Sequence, residues 1–291
     1  MDELIDLLTT FPPEWQFSLG NAVDEVIKTF SRNHRDVLSG IRSFIVGGIG
    51  GIQKVLLWIP WWILIVLIVA LGWRATKKWY KGLLYGLMMF FVASSGLWTH
   101  MIETLSIVIA SVILSIAIGF PLGIMLAINT KVERMIRPIL DLMQTMPAFV
   151  YLVPAVILFS TGKTPALIAT TIYAIVPMIR LTSHGISHVD KEVIEAAKAF
   201  GATTLQSLIK VQIPQALPTI MTGANQTIMM AMSMVVTCAL IGANGLGMEI
   251  LLATNRTEMG KALLPGIAIV FVAIILDRLT QAAAKKKEEH I

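Results

Sequence analysis

Long apolar runs separated by short polar connections dominate the chain from about residue 55 onward. Seven of them predict membrane-crossing helices, at 55–73, 79–98, 103–128, 138–160, 164–184, 214–241 and 262–280. Each lies near the roughly 20 residues that a helix needs to cross a hydrocarbon core. Strands of a membrane barrel would alternate over about ten residues, and no such alternation is present. Residues 1–54 follow another pattern. Val23, Val26, Ile27 and Phe30 recur at helical spacing, as do Val37, Leu38, Ile41, Phe44 and Ile45. Asp24, Glu25, Lys28, Arg32, Arg35 and Asp36 interrupt them. Such helices fit either the membrane interface or a soluble cap on the bundle. Gly47-Gly48 and Gly50-Gly51 punctuate the entry to the first span. Pro121, Pro147, Pro154, Pro177 and Pro218 fall inside spans, where neighbouring helices can satisfy the freed backbone groups. Gly82-x-x-x-Gly86 and Gly119-x-x-x-Gly123 allow close helix approach.

Composition agrees with lipid as the solvent. Apolar residues make up 56%, charged residues 14%, and the mean hydropathy is +0.76, against about 25% charged residues in soluble domains. The acidic start, Met1-Asp2-Glu3-Leu4-Ile5-Asp6, lacks the basic region of a cleaved signal peptide. The net charge of +5 comes from short loops and reads as membrane topology, not as a nucleic-acid surface. Arg74, Lys77, Lys78 and Lys81 follow the first span, Lys131, Arg134 and Arg137 the third, and Arg278 with Lys285-Lys286-Lys287 the seventh. Arg180, Lys191, Lys198 and Lys210 surround the long loop after the fifth, whereas the alternate loops are poor in cations. The richer side is cytoplasmic, which puts the N-terminus outside and the C-terminus and that long loop inside. Cys238 is the single cysteine, so no intrachain disulfide is possible.

The long loop has its own grammar. Ser187-x-x-Asp190 is a possible capping box, residues 190–200 are strong helix formers, and Gly201 suits the position just past a helix end. Thr203-x-x-Gln206 can cap a second short helix, and Pro214 ends that stretch and can start the next span. The expectation is helix, glycine turn, helix, then membrane, with Glu195 facing solvent and Ala196 and Ala197 keeping that face flat. Three residues separate Glu195-Ala196-Ala197 from Gly201, and nine separate Gly201 from Val211-Gln212-Ile213-Pro214. This arrangement resembles the EAA motif of ATP-binding-cassette (ABC) importer permeases. Val211 and Ile213 depart only by apolar swaps. The resemblance implies an all-α membrane protein with the type I ABC importer fold, about seven transmembrane helices and a cytoplasmic coupling helix. It also implies that Glu195, Ala196, Ala197, Gly201 and Pro214 couple the chain to a separate ATPase.

Gln144-Thr145-Met146-Pro147-Ala148-Phe149-Val150-Tyr151-Leu152-Val153-Pro154 and Ile241-Gly242-Ala243-Asn244-Gly245-Leu246-Gly247 resemble permeases for glycine betaine, proline betaine and related quaternary-ammonium osmolytes. The likeness covers roughly residues 60–280. It implies a bacterial inner-membrane complex of two permease copies, two ATPase subunits and an external substrate-binding protein on a separate chain, working by alternating access. No cofactor is expected on this chain; ATP and magnesium belong to the partner ATPase. The expected divisions are an extracytoplasmic or interfacial amphipathic scaffold over 1–54, peripheral spans over 55–98, a transmembrane core over 99–280 with its coupling loop at 187–213, and a cytoplasmic basic tail over 281–291.

Candidate pathway residues are Gln144, Thr145, Pro147, Phe149, Tyr151, Asn225 and Gln226. Polar groups within spans, Thr227 among them, either line a path or bond one helix to another. Aromatic faces hold quaternary ammonium groups well, which adds Phe159, Tyr173 and Trp98, although aromatics also pack or sit at interfaces. Met229, Met230, Met232 and Met234 form a soft segment that either eases sliding or fills gaps. Asp141 and Asp277, near cytoplasmic span ends, read as structural. Gly162-Lys163-Thr164 imitates the tail of a phosphate-binding loop, but Ile157 stands where that pattern needs glycine. His34, His100, His184, His188 and His290 have no metal-ligand spacing. Rival readings are a permease for choline, carnitine or another small solute, and a secondary transporter or channel. The latter would need a coupling carboxylate at the membrane centre, and none is present.

Overall fold

The computed structural model describes residues 19–288 and is helical throughout its regular elements. The acidic start and the residues after 288 lie outside the described residues. Helix α1 (Leu19–Asn33) breaks at His34 into α2 (Arg35–Trp58). Here the structure corrects the sequence reading, because the glycine pairs do not interrupt the chain and α2 runs through them. Each glycine costs a helix about 1 kcal/mol, but Ile45, Ile49, Ile52 and Leu56 recur on one face and pack into the core. The break comes instead at Ile59–Pro60, where the residue before proline is driven extended.

The first two expected spans become a hairpin, α3 (Trp61–Thr76) and α4 (Trp79–Ser94). Each has 16 residues and so rises about 24 Å, short of a core of about 30 Å. Gly82 and Gly86 face Val69 and Trp73, and Gly72 faces Tyr85, so the hairpin closes backbone to backbone.

Three long helices form the centre: α5 (Trp98–Ile128), α8 (Lys163–Ser187) and α11 (Ile213–Thr237). The middle one, α8, packs extensively on both others. Small and hydroxyl-bearing residues make both seams. Ser111 and Ser115 on α5 donate to the carbonyls of Leu167 and Thr171 at 3.5 and 3.2 Å. A β-carbon at Gly123 would lie 2.5 Å from Thr182 and 2.8 Å from the Ile179 carbonyl oxygen. On the other side Gly185 meets Ala216 and Thr219, and Gly223 meets Leu181. Lipid tails give helices no hydrophobic reason to associate, so close packing has to supply it.

Two further expectations are corrected. The span expected at 138–160 is broken into α6 (Thr130–Thr145) and α7 (Leu152–Phe159), bent by 111° about Met146–Pro147 and joined by a short 3-10 turn, Ala148–Tyr151. Pro147 forces Met146 extended, whereas Pro154 sits in the first turn of α7, where a missing N–H costs little. Pro214 does not start the sixth span. Helix runs from α10 (Thr204–Ser207) through a π turn at Leu208–Gln212 into α11, a continuous Thr204–Ile241 stretch of 38 residues. The π turn absorbs the hydrogen bond that Pro214 cannot make. A 3-10 turn (Cys238–Ile241), α12 (Leu246–Asn255) and α13 (Met259–Glu288) complete the chain, with α9 (Lys191–Ala199) between α8 and α10. Among the described residues five helices are long and apolar enough to cross a membrane, six if the bent pair counts as one.

The α5–α8 seam yields a prediction. Gly123→Ala is expected to cost about 1–3 kcal/mol of stability, read as earlier thermal unfolding in detergent. Gly47→Ala, in open space within α2, is expected to be neutral or to stabilise by up to about 1 kcal/mol. Equal losses from both would show that the seam is not what holds the helices together.

Candidate functional site

The loop between α8 and α11 is a small rigid body. Ser187 belongs to α8, its hydroxyl donating to the Ser183 carbonyl at 2.8 Å. The cap of α9 is therefore Asp190 alone, whose carboxylate accepts the Glu192 amide at 2.9 Å, and not a Ser187 box. At the other end Gly201 has φ +81°. Its amide donates to Lys198 at 2.9 Å and the Ala202 amide to Ala197 at 3.0 Å, the paired bonds that close a helix in the left-handed conformation glycine adopts readily. Thr203 and Gln206 then form a reciprocal capping box, with amide-to-side-chain distances of 2.9 and 3.3 Å. Nearly every exposed end of the two helices is tied.

Glu195 and Ala196 are exposed and Ala197 is half-buried. Ile194, on the opposite side of α9, packs against a buried cluster of Met178, Ile186, Val189, Leu208, Ala216 and Ile220. Met178 and Ile186 belong to α8, Ala216 and Ile220 to α11, and Val189 and Leu208 to the connections beside α9, so α9 is fastened to both central helices. The sequence reading missed Phe200, which stands 94% exposed at the tip, and Leu205 and Ile209, both exposed beside it. An aromatic residue directly before the turn glycine, the one aromatic between 190 and 212, was the available signal.

The pathway candidates divide. Gln144, Thr145 and Pro147 are exposed at the α6–α7 break, and Phe149 is 57% exposed just beyond it. Thr145 donates to the Leu142 carbonyl at 3.0 Å. Tyr151 is buried; its hydroxyl donates to the Met143 carbonyl and its ring meets Tyr173 edge-on at 5.8 Å. Asn225 is a bond between helices: it donates to Asp277 at 2.8 Å and accepts from Thr280 at 2.6 Å. Gln226, one position on, points the other way. It is exposed, as are Thr222, Met229 and Ser233, at the i, i+4, i+7, i+11 spacing of one helix face. This stripe was readable from the sequence but was not read as a face. The turn at Ala148–Tyr151 packs on α11, the helix that carries this stripe. Phe159 is buried, and Trp98 lines a peripheral cavity with Trp61 and Phe90.

Two ionic groups mark the bundle's ends. Asp141 on α6 pairs with Arg180 on α8 beside a cavity of about 580 Å³ that Glu133, Arg137, His184 and His188 also line. At the other end Lys163, in the sequence that imitates a phosphate loop, donates to Gln53 of α2 at 2.8 Å and lies 4.0 Å from Glu103. Lys163 opens α8, and Arg180 lies about two turns before its end.

The chain is similar to known proteins. The chain is 44% identical over 254 residues to the glycine betaine/carnitine transport permease protein GbuB of Listeria monocytogenes serotype 1/2a (strain 10403S), spanning 85% of this chain and 90% of that protein. It is 43% identical over 267 residues to the glycine betaine transport system permease protein OpuAB of Bacillus subtilis (strain 168), covering 91% and 93%. It is 42% identical over 267 residues to the glycine betaine/proline betaine transport system permease protein ProW of Escherichia coli (strain K12), covering 92% and 75%. Among solved structures, the inward-facing MetNI methionine ABC transporter matches with a TM-score of 0.55 at 25% identity, over 68% of this chain and 95% of that one. Residues 119–289 match the model of one family. With its small-residue helix seams, its capped loop and relatives matched along most of its length, the chain belongs to the binding-protein-dependent transport system inner membrane components.

Proposed function

We propose that this chain forms the translocation pathway for glycine betaine or a closely related quaternary-ammonium osmoprotectant, driven inward by ATP hydrolysis on a separate subunit. The observation that carries the coupling role is the α9 loop, a rigid two-helix unit with Phe200 bare at its tip and Ile194 fastened to α8 and α11. A partner that grips Phe200, Leu205 and the flat Glu195-Ala196 face moves both helix ends together. A loosely tethered loop would dissipate that motion. ATP and magnesium belong to that partner. The substrate class rests on the three relatives, whose names share glycine betaine.

The α11 stripe supports a second copy of the chain. Thr222, Gln226 and Ser233 are polar and exposed on a helix of membrane length. The Thr222 and Ser233 hydroxyls donate to the Pro218 and Met229 carbonyls, but the Gln226 amide would be costly facing lipid; facing a copy across an aqueous path, it is solvated. The path then runs between the two stripes, with Gln144, Thr145 and Phe149 at the neighbouring break. Motion of α9 shifts α11 and with it the side from which the stripe is reached. The cation-rich connections favour a cytoplasmic α9 end, with an external binding protein delivering the solute at the opposite end.

Two outcomes follow. Phe200→Ala is expected to weaken association with the ATPase subunit by about 2 kcal/mol, roughly thirtyfold, the effect of losing an anchoring aromatic. Uptake of labelled glycine betaine by the complex reconstituted with its ATPase and binding protein should fall accordingly, while insertion is unchanged. Unaltered association would end the coupling role of the tip. Cysteines placed at Gln226 and Ser233 are expected to react with a membrane-impermeant thiol reagent to an extent that changes when ATP is added. A cysteine at Ile118, exposed on an apolar face, is expected to stay unreactive. The native Cys238 is buried and gives little background. Equal reactivity at all three positions would remove the stripe from the path.

A further inference from the structure

At the end of the bundle opposite α9, a cavity of about 410 Å³ opens between α1, the start of α2 and the end of α7. Arg32, Arg35 and Arg42 line it with Ser31 and Ser39, and Leu38, Ile157, Leu158 and Phe159 form its apolar wall. No carboxylate lines it. Among the described residues Arg35 and Arg42 have no ion-pair or hydrogen-bond partner, and Arg32 makes only a long bond, 3.4 Å, to the Lys28 carbonyl. Three exposed arginines thus line one cavity that has no carboxylate in its wall.

The surroundings set the depth. Ser160, at the cavity's edge, lies in the short non-helical link between α7 and α8. Such links in a spanning bundle sit at the level of the head groups. Val26 and Phe30 on α1, and Val37, Ile41 and Phe44 on α2, are exposed at helical spacing. A water-facing cap would not present these stripes, whereas helices lying in the membrane interface do.

We propose that this cavity binds the phosphodiester head group of an anionic phospholipid. The guanidinium groups suit phosphate oxygens in paired, charge-assisted hydrogen bonds. The Ser31 hydroxyl makes no other hydrogen bond among the described residues and adds a donor. The Ser39 hydroxyl is already spent on the Asp36 carbonyl at 2.8 Å. A zwitterionic head group would bring an ammonium for which the cavity has no acceptor carboxylate. The apolar wall accommodates glycerol and the first acyl carbons, which a free phosphate does not have. Because α1 packs on α7, a lipid held here fastens the amphipathic region to the segment that follows the Pro147 break.

The test is lipid retention by the whole chain, purified from nanodiscs of mixed phosphatidylglycerol and phosphatidylcholine and weighed by native mass spectrometry. Wild-type chain is expected to retain phosphatidylglycerol selectively. Each of Arg32→Gln, Arg35→Gln and Arg42→Gln is expected to reduce retention about fivefold, the weight of one cation near an anionic head group, and the triple variant to lose the preference. Arg256→Gln, the same charge change elsewhere, is expected to leave it intact. Equal losses from Arg256→Gln would reduce the effect to overall charge and overturn the site. Inorganic phosphate that stabilises wild type but not the triple variant, without selective lipid retention, would make it a free-anion site and also overturn the proposal. So would retention that emerges only after Asp2, Glu3, Asp6 and Glu14 are neutralised, since the chain's own acidic segment would then be the occupant.

Discussion

Everything else in this bundle hangs on the two seams that grip α8. In lipid a buried apolar side chain gains nothing over an exposed one, so helices are held by close contact and interhelical hydrogen bonds. Gly119, Gly123, Ser111 and Ser115 bring α5 to within backbone range of α8, and Gly185 with Gly223 do the same for α11. Because the contacts are backbone-tight, the three helices can shift against lipid as a block but have little room to separate. The peripheral pieces are placed by what they touch on this block.

The α9 loop gains its stiffness from elementary chemistry. Asp190, Gly201, Thr203 and Gln206 each satisfy helix ends that a chain of this length cannot satisfy internally. A nine-residue helix is marginal alone; capped at both ends and pinned by Ile194, it holds its shape. The same loop leaves Phe200 in water, which costs free energy unless something covers it. Rigidity inward and an uncovered aromatic outward are the two properties a mechanical joint needs.

Much of this was legible in the sequence. The cores of the later spans, the turn at Gly201 and the Thr203–Gln206 cap were each specified by local residues whose physics is short-range. The failures share one cause. Glycine in α2 and proline at 214 were read as local punctuation, yet tertiary packing carried α2 through its glycines and a π turn carried helix up to and past Pro214. Pro147, conversely, bent the chain where an unbroken span was expected. Asn225 and Gln226 were indistinguishable as adjacent polar letters; only the helix face separates the one bonded to Asp277 from the one left open. The coupling role and the pathway drew on likeness to a family, because neither a docking face nor a lumen is written in one chain's periodicity.

Helix α6 is attached to the block far more lightly than α5 and α11 are to α8. Helix α6 contributes a few residues such as Leu140 to a small buried cluster with Leu126, Val176 and Ile179. Its polar tie to the block is Asp141 with Arg180, and both groups are substantially exposed. An exposed pair of this kind is worth about 0–1 kcal/mol, far less than a seam in which any added carbon must displace backbone. The Pro147 break removes the helical continuity that would otherwise transmit stiffness from α7. A segment with one small apolar footing, one solvated ion pair and a hinge at its end is inexpensive to swing, whereas α5, α8 and α11 are not. Differential attachment, more than any single side chain, therefore distinguishes the three tightly packed helices from α6, and the difference falls at the Pro147 break, whose turn packs on α11.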